Sequence, residues 1–317
     1  MVQAEALFPG GEPMREIIKI TIALTISCLV AGLVIGTTFI FTAKAKQHNE
    51  HLNVQQTMLG LLGYGKDKPA PPALKLHPIH RYILSDAEAT RMGYIVPVRR
   101  NGDDGFTLVV LDLKGGFLRQ HPLDLTAETV LSAEDRKKAL AAVLGPSVVI
   151  SFADTAIVAC RDGRREAYLL PGEFPGFKTF IKAMVAVNAD FGMLGLEVIE
   201  HEEDPGLGGE ITQDYFKNQF VGKSFETLKG LKVVKEPLPP EYERYLESLG
   251  QPDTDLSAQE IAEMERLYRE KDIYALTGAT ISSAAVTNGV KAMVRKFAYR
   301  IQILDQAVAA GDIPVLF

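Results

Sequence analysis

This chain is short of three things: cysteine, positive charge gathered in blocks, and catalytic side-chain sets. Its 317 residues hold two cysteines, Cys28 and Cys160. Two are too few for a disulfide framework or a Cys-x-x-Cys metal site, and Cys160 reads as a small buried hydrophobe. Lys and Arg number 34 against 40 Asp and Glu, a formal charge of −6, and they are scattered along the chain. With no basic block and no zinc or helix-turn-helix spacing, nucleic acid is not an expected partner. No Ser-His-Asp, Cys-His or paired-carboxylate arrangement stands beside the motifs described below, so no residue is assigned a catalytic role. His77-Pro78-Ile79-His80 resembles a ligand pair. Pro78 disfavours the helical i,i+3 geometry, however, and no acid or cysteine lies near, so no metal site is expected.

Charge itself is missing from Ile20 to Ala43. At 1.5 Å per residue this run reaches about 36 Å, enough to cross a hydrocarbon core of about 30 Å. Residues 17–43 are therefore expected to form one transmembrane helix, preceded by a short tail over 1–16. Ala43-Lys44-Ala45 has the look of a signal-peptide cleavage site. The apolar run exceeds the usual signal core of about 7–15 residues, which favours a retained span. Arg15 and Lys19 before it are matched by Lys44 and Lys46 after it. The count of positive charges therefore leaves the orientation open.

Apolar residues make up 47% of the chain, enough to bury a sizeable core beyond this run. Residues 44–62 look helical and end at Gly63-Tyr64-Gly65, and a Pro-rich linker occupies Pro69 to Pro72. From Gly93 the text turns to short β-rich runs, Tyr94–Val98, Phe106–Leu113, Val148–Phe152, Thr155–Cys160 and Arg165–Leu170. Asn101-Gly102 and Asp162-Gly163 serve as turn signals, and a helix near Ala133–Val143 interrupts the strands. Residues 44–171 thus read as a membrane-proximal α+β region. After Gly172-Glu173-Phe174-Pro175-Gly176, Thr179–Val187 and Leu194–Glu200 form an expected hairpin about Asn188–Gly192. His201-Glu202-Glu203-Asp204 reads as a solvated strand end.

The organising stretch lies near the end, at Leu276-Thr277-Gly278-Ala279-Thr280-Ile281-Ser282-Ser283. Apolar residues then fall at Val286, Val290, Met293, Val294, Phe297 and Ile301, the spacing of one helical face, so a helix starts just after Thr280. The unpaired N–H groups of its first turn form a site that a phosphate fits, with Gly278 and Ala279 leaving the backbone uncovered. Read alone, Thr280 or Ser282 is an ordinary N-cap and Gly278 an ordinary turn glycine. A second block stands upstream, Pro205-Gly206-Leu207-Gly208-Gly209-Glu210, trailed by Phe220-Val221-Gly222-Lys223. By itself it is equally a tight turn and a surface over which a flat ring can approach the backbone.

Together, Thr277-Gly278-Ala279-Thr280 and the Pro-Gly-Leu-Gly-Gly-Glu block resemble the FMN-binding domain of the RnfG and NqrC family. That resemblance covers about residues 172–302. It implies FMN joined by its phosphate to Thr280, with Thr277, Gly278, Ala279, Ser282, Gly206, Leu207, Gly208, Gly209 and Glu210 about the cofactor. It also implies that Met14–Lys19 is a cytoplasmic lead and that the bulk of the chain is extracytoplasmic, on a single-pass protein of the cell membrane. The expected class is α+β, with one N-terminal transmembrane helix, a mixed region over 44–171, the FMN-binding domain over 172–302 and a tail over 303–317. Residues 236–271 look like an insertion, and Tyr274 stands where the family usually has Asp. The implied function is a covalently flavinylated electron carrier, the G-type subunit of an Rnf-type ion-translocating ferredoxin:NAD oxidoreductase. It would be a redox subunit, not catalytic alone, with other membrane subunits and a flavin transferase as partners. The alternatives are an NqrC-like subunit of a sodium-translocating NADH:quinone reductase and, from another class, a membrane-anchored scaffold without cofactor.

Overall fold

The structure is a computed structural model of the chain, described here for residues 12–100, 102–251 and 254–317, with the side chains of 12–16 and 38–53 left aside. The expected tail over 1–16 and Asn101 of the expected turn therefore lie wholly or largely outside the described residues. Two units are distinguished, residues 1–56 and 57–317.

In the first unit helix α1 begins; its full extent is Glu12–Leu61. Ile17–Thr37 is long and apolar enough to cross a membrane, inside the span expected from the sequence. Its apolar side chains are exposed, Leu33 at 72% for example. The hydroxyls of Thr21, Thr25, Ser27 and Thr37 each donate to the carbonyl four residues back at 2.6–2.9 Å. None of these four hydroxyls is left needing water, the arrangement a hydrocarbon surround demands.

The second unit is built on eight strands: β1 Leu74–Ser85, β2 Thr90–Arg100, β3 Asp103–Leu111, β4 Phe117–Leu123, β5 Val149–Arg161, β6 Arg164–Pro175, β7 Phe180–Asn188 and β8 Met193–Glu200. They form one antiparallel sheet in the order β4-β3-β2-β1-β5-β6-β7-β8. Strand side chains alternate between faces. Tyr94, Val96, Val98, Val109 and Leu111 accordingly meet the large core on one side. Ile95, Leu108 and Val110 meet a smaller core on the other, closed by helix α2, Ala133–Leu144. Because both faces are covered there, β2 and β3 read as unbroken apolar runs. The β5–β6 turn is the one expected, with Asp162 and Gly163 both at positive φ.

Three readings of this region are corrected. Two separate runs, Val148–Phe152 and Thr155–Cys160, are one strand, β5, with a bulge where Arg81 faces Asp154 and Tyr82 faces Phe152. Strands β1 and β4 were not expected at all: β1 carries Pro78 in its interior, and β4 is short and holds Pro122. The sheet also runs without a break through residue 172, since β6 spans Arg164–Pro175.

Beyond β8 the chain forms short helices α3 Asp214–Lys217 and α4 Phe225–Gly230, then β9 Val233–Val234. Within 236–271 lie α5 Pro240–Ser248 and α6 Ala258–Tyr268, the latter opened by a Ser257–Glu260 capping box. Tyr242 stacks on Tyr268 at 4.1 Å between ring centres, with Tyr274 edge-on to both. Tyr274 belongs to β10, Ile273–Tyr274, parallel to β9, so the position where an acid was expected closes an aromatic cluster. Helix α7, Thr280–Ala310, then crosses the large core with Val286, Val290, Val294, Ile301 and Leu304 buried. Residues 303–317 are no free tail. The helix continues to Ala310, and Val315 bridges to Val98 of β2.

Candidate functional site

The turn before α7 is held from inside by Ser283, which is fully buried. Its hydroxyl donates to the Ala279 carbonyl at 2.9 Å and accepts the Leu276 N–H at 3.0 Å. Between these anchors Gly278 takes φ +74, a left-handed conformation that favours glycine. Ala279 is the N-cap, and no side chain caps the helix. The ordinary N-cap reading of Thr280 or Ser282 is thereby excluded. The first-turn N–H groups are left without a side-chain acceptor.

The hydroxyls near this helix start differ in what they do. Ser282 is 3% exposed and donates to Glu203. Ser283 is committed to the turn, and Thr287 donates to the Ser283 carbonyl at 2.8 Å. Thr280, half-buried, and Thr277, exposed, make no side-chain hydrogen bond among the described residues.

The glycine block is a loop closing on the start of α7. The N–H groups of Leu207 and Gly209 both donate to the Asp204 carbonyl, at 3.2 and 2.8 Å. Gly206 supplies the positive φ of the turn, +72. Gly208 is required for a different reason: a Cβ there would stand 2.6 Å from Ser282 Oγ and 2.8 Å from a Glu203 carboxylate oxygen. Leu207, 46% exposed, lies over the neighbouring turn, where a Cβ on Gly278 would be 3.0 Å from it. The two sequence motifs, about seventy residues apart, are thus one place in the fold. Glu210 stands at the edge of the loop and accepts the Tyr215 hydroxyl at 2.6 Å. Burial, reinforced by that carboxylate, holds the Tyr215 phenol well above its ordinary range.

Glu203 ties the assembly together, and the reading of 201–204 as a solvated strand end is corrected there. Its side chain is buried, 5% exposed. One carboxylate oxygen accepts the N–H groups of Phe177 at 2.7 Å and Lys178 at 3.2 Å, and the other accepts the Ser282 hydroxyl. Three segments, the β6–β7 turn, the glycine loop and α7, converge on this one acid. Nothing local separates Glu203 from exposed Glu202 in the sequence, because its partners lie tens of residues away. His201 and Asp204 are half-buried; Asp204 pairs with Lys178 at 2.5 Å.

Of the remaining residues singled out, Lys223 is fully buried and donates to the carbonyls of Tyr268, Arg269 and Lys271 at 3.4, 3.0 and 2.6 Å. It closes the C-terminal end of α6 and has no part in the cradle. His77 and His80 lie on β1, and the His80 ring is paired with the Thr155 hydroxyl at 2.8 Å. Cys160 is buried.

Residues 176–295 match the family model of the FMN-binding domain. Over 130 residues the chain is 32% identical to the G subunit of the proton-translocating ferredoxin:NAD(+) oxidoreductase complex of Clostridium ljungdahlii, covering 41% of this chain and 52% of that one. It thus spans about half the length of that relative. It is 24% identical over 229 residues to the C subunit of the Na(+)-translocating NADH-quinone reductase of Yersinia pestis, covering 70% of this chain and 77% of that one. Among solved structures, NqrC of Shewanella oneidensis is similar at 21% identity, with 46% of this chain and 56% of that one covered and a TM-score of 0.32. Residues 176–295 thus match the FMN-binding domain, and the chain is similar to the RnfG- and NqrC-type subunits that these relatives represent.

Proposed function

We propose that Thr280 holds FMN through a phosphoester and that the chain works as a G-type electron-carrier subunit of an Rnf-type complex. The observation that carries the tether is the state of the hydroxyls. Ser282 and Ser283 are buried and committed, whereas Thr280 is uncommitted at the uncapped start of α7. A phosphate on its oxygen meets the first-turn N–H groups and the positive end of the helix dipole. Exposed Leu207 beside Gly278 offers an apolar surface against which a flat ring can lie. Phe177 and Ile281, 57% and 61% exposed, sit on the other two segments that Glu203 joins. Thr277, Gly278, Ala279, Gly206, Gly209 and Glu210 shape the same place, and Ser282 positions it through Glu203.

Bound there, FMN supplies electron transfer singly or in pairs, and the chain's own part is to hold and orient it. Glu203 keeps the three segments in register, and Gly208 lets two of them touch. A covalent tether replaces bulk concentration by a high effective one, most useful where free FMN is scarce. This supports an extracytoplasmic bulk, with α1 as single-pass anchor in the cell membrane, and requires a flavin transferase and the other membrane subunits. The residue-level cofactor unit is 172–302, with 236–271 inserted. Higher identity to the Clostridium protein favours the Rnf reading, and an NqrC-like subunit is the alternative. Denatured, acid-precipitated protein from its native membrane is expected to fluoresce under ultraviolet light on a gel, and Thr280→Ala to be dark. A dark wild-type band supports the cofactor-free scaffold instead.

A further inference from the structure

A cavity of about 720 Å³ lies between the sheet and α7, and Thr280 is not part of its lining. Its size suits a small organic ligand, for which sites run to roughly 300–1,000 Å³. Contributions from α7 extend from Ala285 to Leu304, roughly 28 Å of helix at 1.5 Å per residue. The space is therefore elongated. Near the start of α7 the walls carry Phe174, Ala285 and Met293, with Asn288 and Glu173 as the polar groups there. Farther along they become cationic, with Lys296, Arg300 and, from β1, Arg81.

The cationic part is built by the β5 bulge, which sets Asp154 opposite Arg81. Arg81 donates to Asp154 at 3.0 and 2.6 Å, and Arg300 donates to the same carboxylate at 2.6 Å. One acid thus serves two guanidiniums. Counting every charged group in the lining, Arg81, Arg300 and Lys296 face only Asp154 and Glu173, an excess of one positive charge. Tyr94, paired with Arg81 across β1 and β2, also lines the cavity; it is 4% exposed, and its hydroxyl has no hydrogen-bond partner. A buried donor left in that state is costly unless a ligand or water completes it. Spare guanidinium donors, an orphan hydroxyl and excess charge at one part of a long space with Phe174, Met293, Phe297, Ile301 and Leu304 along it select a ligand with an anionic head and an apolar chain.

We propose that this cavity binds a single-chain carboxylate of the fatty-acid class, its head on Arg300 and Arg81 and its chain running along α7 toward Phe174. The full-length protein in lipid nanodiscs is exposed to a diazirine-bearing dodecanoic acid, illuminated, digested and mapped by peptide mass. Label is expected in the peptides carrying residues 170–175 and 285–304, competed by dodecanoate and far less by dodecan-1-ol. Ala292→Phe, which fills the space, is expected to abolish that label. Arg300→Gln weakens half-saturation roughly tenfold, the fold-change of one charge-assisted hydrogen bond; should it not fold, Lys296→Gln on the rim shifts it the same way. Thr280→Ala retains the label, which separates this site from the flavin tether. Label confined to α1, equal competition by the alcohol, or label unchanged in Ala292→Phe overturns the proposal.

Discussion

At Gly208 the requirement is for close approach, because Ser282 and Glu203 occupy the space a Cβ would need. Gly208→Val is expected to push the loop off α7, lowering the melting temperature and shifting the spectrum of bound flavin together. A fall in melting temperature with an unchanged spectrum contradicts the placement of the loop in the cofactor site. Glu203→Ala strands the buried Ser282 hydroxyl and releases the Phe177 N–H. Leaving such groups unpaired costs about 1–3 kcal/mol, and urea unfolding of variant and wild type checks it. The turn into α7 was legible in the sequence because four letters and a helical stripe share one local stretch. Glu203 was not legible, because its meaning comes from Phe177 and Ser282, on elements that only the fold brings to it.

Two buried titratable groups make elements sensitive to pH. Burial on β1, with Arg136 close by, lowers the His80 imidazole to about 3 from an ordinary 6.5. The unfolded chain therefore takes a proton below about 6.5 that the folded one refuses, so His80 makes stability fall as pH drops from 6.5 toward 3. His80→Gln is expected to flatten that decline, measured as melting temperature between pH 7 and 4. Burial likewise lowers Lys223 to about 8, against the opposite pull of Glu270 and Asp272. Between about 8 and 10.5 the unfolded chain holds the extra proton, so this residue makes stability rise with pH there. Lys223→Met is expected to lose that slope and also to release the carbonyls at the end of α6, destabilising the fold at neutral pH. An unchanged pH profile would contradict the buried cation. The elements themselves were read unevenly. Helix α7 and the β7–β8 hairpin have clean periods, while β5 looked like two strands because its bulge breaks the alternation at Ala153 and Asp154. The β1 strand was hidden by Pro78 in its interior.

For the whole molecule, the proposed reading joins a retained span to a tethered flavin, since such a tether gains most outside the cytoplasm. A reporter fused after Phe317 and active only outside the cytoplasm is expected to work; activity of a cytoplasm-only reporter there would reverse the topology. A helix long and apolar enough to cross a membrane was legible as a charge-free run, whereas its orientation was not, with two cations on each flank. The single continuous sheet through residue 172 was also hidden, because strand pairing between distant segments leaves no local mark. The central claim is the bond at Thr280, and peptide mass of the protein purified from its native membrane tests it most directly. The peptide containing Thr277–Ser283 is expected to exceed its sequence mass by one FMN less one water, and the Thr280→Ala peptide to carry no such addition. An unmodified wild-type peptide, or the added mass persisting in Thr280→Ala, would contradict the account.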